Sequence, residues 1–298
     1  MAVKYLASKR LIGTSAERTG VQSSGGTETT VSGYVIHTFT SGTGTFTADA
    51  SLTVEYLVIG SGASGEQGGG GAGAVRHATG YSISAGDYTI TVGAAVKGGQ
   101  YDGEASSIGS LIVADGGGDG NGGTGTNGSG GGGYGTGIAG GAGGTYGNDG
   151  GDSNANGHGA GGGGAGAAGV DWTGSGTGQG GAGIQNPIVG STIGELSSGN
   201  YYVGGGGGSA GNGHDAAGGL GGGGDGKDWN PTDAMANTGG GAGGSYNAGN
   251  AWSGSGVVII KVPVGTSLGS NLQANSIFSE SNTGKDYLWN GTAWVQVA

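Results

Sequence analysis

Three glycine-containing spacings in this chain match patterns that bind phosphate or hold a nucleophile in other proteins. The spacing Gly-x-Gly-x-x-Gly recurs, but no copy follows a predicted strand and opens a helix, so dinucleotide binding is not expected. Residues 221–227 have the spacing of a phosphate-binding loop, yet Asp228 stands where a Ser or Thr would bind magnesium. Residues 207–211 match a nucleophile elbow around Ser209, again without the strand–turn–helix context that exposes the serine. None of the three spacings therefore predicts catalysis.

The residue types that most often bind metals are sparse and poorly spaced. The four histidines, His37, His77, His158 and His214, form no i, i+4 pair and have no adjacent acidic cluster. Residues 223–228 match one copy of a calcium-binding β-roll repeat, but no tandem array follows, so calcium is only an alternative. The chain has no cysteine, which excludes disulfides, thiolate metal sites and cysteine catalysis. The sequence thus predicts a protein that is not an enzyme, with no catalytic residue, cofactor or metal site.

The charge distribution narrows the class of partner. The formal net charge is −11, and residues 114–256 carry ten acidic residues against Lys227 alone. Phosphate contacts need clustered Lys and Arg, so nucleic-acid binding is not expected. No apolar run approaches the roughly 20 residues of a membrane span, so membrane insertion is not expected either. We interpret the acidic residues as keeping an exposed surface soluble.

Several segments that must position any functional residue read as strands. They are rich in β-branched and aromatic residues and are bounded by Gly, Ser, Asn or Asp. The predicted strands are 34–39, 52–59, 88–92, 108–113 and 257–262. The second of them alternates and then becomes apolar on both faces, and no apolar stripe of helical period occurs outside residues 3–18. Several short strands separated by turns predict an all-β protein built on a β-sandwich, which the strand at 257–262 closes.

Glycine is concentrated between these strands. Of the 86 glycines, 60 lie in residues 114–256. Collagen is excluded because it needs a strict Gly-X-Y period and abundant proline. Large residues such as Tyr134, Ile138 and Trp172 separate the glycine runs, which favours an ordered structure over a disordered linker. We expect extended helices of three residues per turn, packed side by side as polyglycine II, in which an interior glycine would not tolerate alanine.

Weak repeats punctuate this glycine-rich stretch. Residues 140–146 recur as 240–246, with Gly-Gly-Ala-Gly-Gly followed by Thr-Tyr or Ser-Tyr. Asn-Gly-His at 156–158 recurs at 212–214, and Asp171-Trp172 recurs as Asp228-Trp229.

The C-terminal residues 286–295 carry the clearest local signal. Asn290-Gly291 between two short strands predicts a hairpin with a two-residue type I′ turn. In that register Trp289 would face Thr292, and Tyr287 would face Trp294. The resulting aromatic face needs a cover, which we expect to be the parent domain, another subunit or a ligand.

The linear pattern of residues 33–262 resembles the glycine-rich domain of bacteriophage tail and tail-fibre proteins. The matching motifs are Leu57 to Gly62, residues 68–77, Asp87 to Gly93 and the closing Gly254 to Ile260. The N-terminus is similar to those of marine viral structural proteins, and the hairpin at 289–294 is similar to hairpins in tail-fibre proteins. The resemblance implies a virion component with polyglycine II helices that attaches to a host surface. It also implies a homo-oligomer, with a trimer favoured, made in the host cytoplasm and placed on the particle surface.

On this resemblance the chain divides into four parts. They are a basic N-terminal docking arm (1–30), a β-sandwich (31–113, closed by 256–263), a polyglycine II module (114–255) and a C-terminal extension (264–298). The arm would bind other virion proteins through Lys4, Lys9, Arg10 and Arg18. The module would contact a host glycan or outer-surface protein through Trp172, Tyr201, Tyr202, Trp229 and Trp252, which alternatively cap its edges. Tyr287, Trp289 and Trp294 would pack against a subunit or partner.

Two other functions fit the same sequence. A capsid decoration or tail accessory protein would use the glycine-rich module as a purely structural element. A more remote alternative is an ice-binding or matrix protein, because one antifreeze class also uses polyglycine II bundles. That class expects a regular flat face of small residues, which this sequence does not show.

Overall fold

A computed structural model describes residues 4–6, 10–13, 23–154, 157–174, 178–247, 250–264, 275–290 and 294–297. Over these residues the chain is all-β and contains no helix. The strands are β1 (Lys4–Leu6), β2 (Arg10–Gly13), β3 (Ser23–Ser24), β4 (Thr27–Val31), β5 (Tyr34–Phe39), β6 (Thr43–Ala48), β7 (Leu52–Ile59), β8 (Val75–Ile83), β9 (Gly86–Thr91), β10 (Ser106–Ile108), β11 (Ile112–Ala114), β12 (Ile184–Gln185), β13 (Glu195–Ser197), β14 (Asn200–Val203), β15 (Ala210–Gly211), β16 (His214–Asp215), β17 (Val257–Pro263), β18 (Ile277–Glu280), β19 (Asp286–Trp289) and β20 (Trp294–Gln296).

Two five-stranded sheets form the predicted sandwich. The central sheet has the order β4-β5-β17-β7-β8, and the outer sheet has the order β3-β6-β9-β10-β11. Strand β17 lies antiparallel between β5 and β7, which confirms that the segment after the glycine-rich stretch closes the sheet. Side chains such as Phe46, Ile90 and Val258 fill the space between the sheets. Residues 23–30, which were predicted to belong to the N-terminal arm, instead contribute β3 and most of β4.

The central sheet is buried on both faces. Val58 faces the outer sheet, whereas Leu57 and Ile259 point to the opposite face and are fully buried there. On that opposite face they meet Ile188 and Val203 from the glycine-rich stretch. The doubly apolar end of β7 in the sequence is explained by this second packing layer.

One predicted strand is wrong in its extent. Residues 108–113 do not form one strand but parts of β10 and β11, which pair antiparallel as a hairpin. Gly109 takes a positive φ of 51°, a conformation that favours glycine, and the N–H of Leu111 donates to the carbonyl of Ile108 at 3.1 Å. Apolar residues lie on both sides of this turn, so the sequence pattern gives no sign that the strand is interrupted.

The two ends of the chain share a third sheet, which we call the terminal sheet. Its strand order is β1-β2-β18-β19-β20. Strand β2 pairs in parallel with β18, so N-terminal and C-terminal segments lie side by side. The described residues within 3–18, where the sequence allowed a helix, are strands instead. Leu11 and Phe278 are fully buried in this sheet, and pairing with β18 gives the short N-terminal strands a partner that local sequence does not reveal.

The C-terminal hairpin exists, but its predicted register is wrong. Trp289 pairs with Trp294, and Tyr287 pairs with Gln296, so four residues separate the strands rather than two. Residues 291–293, which include Gly291 of the predicted turn, lie outside the described residues. Each residue of β19 thus pairs with a residue two positions later than predicted. Because side chains alternate between the two faces of a strand, Tyr287, Trp289 and Trp294 still share one face.

His37 makes the sandwich sensitive to acid. Its imidazole is fully buried, donates from Nδ1 to the carbonyl of Gly25 at 2.8 Å and accepts at Nε2 from the hydroxyl of Ser23 at 2.9 Å. Burial holds the pKa of His37 below its ordinary value of 6.5, against the opposing effects of the Gly25 carbonyl and Glu28.

We therefore expect the free energy of unfolding to fall as the pH drops from 7.5 to 5.5. Below pH 6.5 the unfolded state binds a proton that folded His37 does not, at up to about 1.4 kcal/mol per pH unit. Urea titrations at both pH values measure the loss. His37→Asn should show a smaller pH-dependent loss than the unchanged chain, and an equal loss in both proteins would contradict this assignment.

The glycine-rich module is held together by its backbone, and it begins at Gly60 rather than at residue 114. Residues 60–74 leave β7, turn near Gln67 and return to β8. In the returning arm, N–H groups three residues apart donate to the same neighbouring segment. Gly69 and Ala72 donate to 160–163, Gly70 and Gly73 to 239–242, and Gly71 and Ala74 to 115–118. Each buried segment is therefore bonded to three neighbours in turn.

The same period of three recurs elsewhere in the module. In segment 205–210, Gly207 and Ala210 donate to the segment 67–70, while Gly206 and Ser209 donate to 178–181. Segment 129–133 follows the same rule with its own neighbours. A Cβ built on most of these interior glycines would lie closer than 3.0 Å to a neighbouring backbone atom. The close approach of the backbones explains why glycine occupies these positions.

Candidate binding surface of the glycine-rich module

The module has a distal end, which we define by the chain reversals farthest from the central sheet. The reversal of the 60–74 arms at Glu66 and Gln67 marks this end. The N–H of Ala210 donates to the carbonyl of Gln67 at 2.9 Å, which places Ala210 at the same level. Bridges between Tyr134 and Gly159 and between His158 and Gly211 connect the neighbouring reversals. Punctuating residues such as Tyr134 and His158 therefore lie at the distal end, whereas Tyr146 of another repeat lies beside Arg76 at the start of β8.

Three aromatic rings from separate repeats meet there. The imidazole of His158 stacks on the indole of Trp172, with centroids 4.4 Å apart and planes 9° apart. His214 lies edge-on to both rings, at 5.5 Å from His158 and 4.9 Å from Trp172. The sequence singled out the repeated Asn-Gly-His motifs but gave no sign that their histidines are neighbours, because more than fifty residues separate them.

Asp228 and Gln67 complete this group, which we call the tip cluster: Gln67, His158, Trp172, His214 and Asp228. The N–H of Gly213 donates to Oδ2 of Asp228 at 2.6 Å, which holds the carboxylate beside His214. Burial, followed by the proximity of His214, lowers the pKa of His158, and the charge of Asp228 opposes this shift. This shift favours the uncharged form of His158 in its stack with Trp172, and the carboxylate of Asp228 lies at the edge of the stack.

The predicted receptor-contacting residues lie in three different places. Trp229 is at the distal end and 65% exposed, and Trp252 is 45% exposed on the flank, with the ammonium of Lys97 5.3 Å from its ring. Tyr201 and Tyr202 are half-buried in β14, whose Val203 packs on the central sheet, so they lie at the opposite end from the tip.

Trp172 requires a correction. It is only 2% exposed, and its ring already stacks on His158, so its indole face is not available to a ligand in this conformation. The alternative interpretation, that an aromatic residue caps the edge of the module, describes its position. An Asp-Trp pair in sequence does not show which tryptophan a neighbouring segment will cover, and this explains why Trp172 and Trp229 differ.

The acidic residues do more than carry surface charge. Many of their carboxylates accept backbone N–H groups at the edges of the module, where the backbone has no neighbouring segment to bond. They are Asp102, Asp119, Asp149, Asp152, Asp171, Asp215, Asp225, Asp228 and Asp233, with Glu104 and Glu195. Glu195 accepts from both Gly221 and Gly222, at 2.7 and 2.8 Å. Like the first residue of a helix, each carboxylate satisfies an otherwise unpaired donor.

The remaining predicted site residues belong to the terminal sheet or cannot be placed. Trp289 is buried and packs 5.4 Å from Trp294, which also lies 5.7 Å from Phe278. The chain itself therefore covers part of the predicted aromatic face. Lys4 and Arg10 lie in β1 and β2, whereas Lys9 and Arg18 lie outside the described residues.

The described residues contain neither a cluster of metal ligands nor a membrane-spanning helix. Within them, no group of three or more His, Asp or Glu side chains has a geometry that could hold a metal ion. No helix there is long and apolar enough to cross a membrane.

The residues of the sandwich and the module match a known protein family. A family model described as "Glycine-rich domain" matches residues 38–263, which comprise most of the sandwich and all of the glycine-rich module. No curated protein matches the chain significantly. The matched range begins within β5 and ends at the last residue of β17. It therefore starts and stops in two adjacent strands of the central sheet.

Proposed function

Because this chain belongs to the glycine-rich domain family, we propose that it is a non-enzymatic structural protein of a virus particle, of the tail-fibre or adhesin type. Its role would be attachment to a host surface. The observation that carries this proposal is the module held together by backbone hydrogen bonds. It packs on a central sheet that is buried on both faces, and aromatic side chains lie at its distal end. Such a module can project a fixed surface without a large hydrophobic core.

We further propose that the glycine segments are polyglycine II helices. The period of three in their hydrogen bonds supports this, because such a helix has three residues per turn and directs successive N–H groups to three neighbours. The burial of glycines 68–71 among other backbones supports it as well. A lattice of this kind leaves few accessible side chains for proteases, which suits an extracellular particle.

The partners of the chain follow from the same proposal. The terminal sheet and the basic N-terminal arm would attach it to other virion proteins, and copies of the chain would associate, with a trimer favoured. A host glycan or outer-surface protein would bind the exposed residues of the module, of which Trp229 and Trp252 are the most accessible predicted aromatics.

The number of copies per particle tests the proposal. Quantitative mass spectrometry of purified particles, scaled to the major capsid protein, should find a few copies, and immunogold labelling should place them on the tail. Dozens to hundreds of copies over the head would overturn the attachment role in favour of capsid decoration. Absence of the chain from purified particles would overturn both.

A competition experiment tests attachment itself. The purified full chain should block adsorption of the particles to the cells on which they were grown. Trp229→Ala should block less well, whereas Val189→Ala, which changes an exposed apolar residue away from the tip, should block as well as the unchanged chain. Equal blocking by all three proteins would remove Trp229 from the contact surface, and no blocking by any would contradict attachment.

A further inference from the structure

Unpaired polar atoms are concentrated at one place in this structure. Among the described residues, five buried side-chain polar atoms have no hydrogen-bond partner. Four of them belong to the tip cluster: Oε1 of Gln67, Nδ1 of His158, Nε1 of Trp172 and Oδ1 of Asp228. A buried polar atom without a partner is costly and rare in folded proteins, so four together need an explanation.

These four residues are close neighbours. His158 and Trp172 stack on each other, and the charge of Asp228 acts on His158. The backbone of Gln67 touches the positions next to His158, because a Cβ at Gly159 would meet the Gln67 carbonyl. Trp172 is almost completely buried, and its ring lies 4.9 Å from that of His214 as well. The cluster is therefore one site with several unmet hydrogen bonds.

The unpaired atoms need a ligand that both donates and accepts. The carboxylate of Asp228 and the amide oxygen of Gln67 are acceptors, whereas the indole N–H of Trp172 can only donate. A metal ion would bind the two oxygens and leave the indole N–H unpaired. A hydroxyl group supplies a proton and two lone pairs, so a molecule with several hydroxyls satisfies the whole set.

Charge selects among hydroxyl-rich molecules. Asp215 and Asp228 lie at the tip, and residues 114–256 carry Lys227 as their single cation. A phosphorylated, sulfated or sialylated glycan would be repelled by these carboxylates. We propose that the tip cluster binds a sugar residue of a neutral surface polysaccharide. This names the ligand of the attachment surface proposed above and rests on that proposed function.

His214 controls access to the cluster. The four unpaired atoms are closed to solvent, but His214 is exposed and lies edge-on across the stacked rings of His158 and Trp172. Because His214 is exposed, rotation of its side chain would uncover the edge of the stack. The exposed ring of Trp229, next to Asp228 in the chain, then offers an aromatic face to the sugar.

Binding of the full chain to two oligosaccharide arrays tests the inference. One array carries neutral glucans, mannans and galactans, and the other carries sialylated, sulfated and phosphorylated glycans. At least one neutral oligosaccharide should bind, at least tenfold more tightly than any anionic one.

Trp172→Phe, which removes the N–H, and Asp228→Asn should each weaken binding at least tenfold. His214→Ala should bind as well or better, and Val189→Ala, at an exposed residue away from the tip, should not change binding.

A second measurement keeps the inference testable if Trp172→Phe fails to fold. In proton–nitrogen NMR spectra of the full chain, the indole N–H resonance of Trp172 should move downfield when the bound oligosaccharide is added, because the proton gains an acceptor. Absence of neutral binding, equal binding by Asp228→Asn, or a stationary indole resonance would overturn the sugar site.

Adsorption competition that succeeds without sugar binding would retain the attachment function and reject only this ligand. Sugar binding by a chain absent from particles would reject only the attachment function.

Discussion

Gly207→Ala is expected to unfold the glycine-rich module. The N–H of Gly207 donates to the carbonyl of Gly70, and its own carbonyl accepts the N–H of Gly162, both at 2.9 Å. A Cβ at this position would overlap the carbonyl of Ala242 and reach 3.0 Å from the nitrogen of Gly70. Both obstacles are backbone, so no side-chain rotation relieves them.

The loss should be at least about 3 kcal/mol of the free energy of unfolding. Overpacking a tight interior costs about 1–3 kcal/mol, and each backbone hydrogen bond lost in the displacement adds about 1 kcal/mol. Urea denaturation followed by tryptophan fluorescence measures the change, because the indole of Trp172 is buried in the module and becomes exposed when the module unfolds.

Gly213→Ala is the matched control. It also replaces a module glycine by alanine, but nothing lies within 4 Å of the new Cβ, and the only cost is its positive φ of 83°. We expect about 1–2 kcal/mol there. If Gly207→Ala were no more destabilising than Gly213→Ala, the backbones of the module would not be packed as the structure shows.

Leu57→Ala is expected to destabilise the sandwich and the module together. Leu57 is fully buried on the face of the central sheet that packs against the module, in the same cluster as Ile188 and Val203. Truncation of a buried leucine costs about 2–5 kcal/mol, because it removes apolar contact and leaves a cavity. Thermal unfolding should occur as one transition at a lower temperature, since the cluster joins the two parts.

Thr53→Ala provides the comparison on the same strand. Thr53 is exposed in β7, so its truncation should change the free energy of unfolding by no more than about 0.5 kcal/mol. A Leu57→Ala protein that unfolds in two separate transitions, with only one of them shifted, would show that the sandwich and the module are not coupled through this cluster.

Local sequence was a reliable guide wherever a strand is long and its burial is regular. The strands at 34–39, 52–59 and 257–262 follow their β-branched patterns, and the closure of the sandwich by the last of them follows from the need to bury it. The pattern was less reliable where turns are short. The hairpin within 108–113 depends on the positive φ of Gly109, and the pairing of Trp289 with Trp294 sets a register that apolar periodicity does not record.

The sequence indicated which residues belong to the candidate site but not that they lie together. The repeats marked His158, His214, Trp172 and Asp228 as punctuation, and they do lie where the glycine segments reverse. Their meeting depends on how many residues each glycine segment spans before it turns. The burial of Trp172 beside the exposure of Trp229 likewise depends on which neighbouring segment covers which repeat.

The sequence by itself determined that this protein is all-β, acidic, free of cysteine, and built around a glycine-dense segment enclosed by strands. These properties follow from residue type and short-range period, which act within a few positions along the chain. Only the tertiary structure decided that the glycine-rich module starts at Gly60, that the chain ends share a sheet, and that acidic side chains cap the edges of the module. Glycine carries no side chain to encode a partner, so the neighbours of each glycine segment are fixed by backbone hydrogen bonds between residues far apart in the chain.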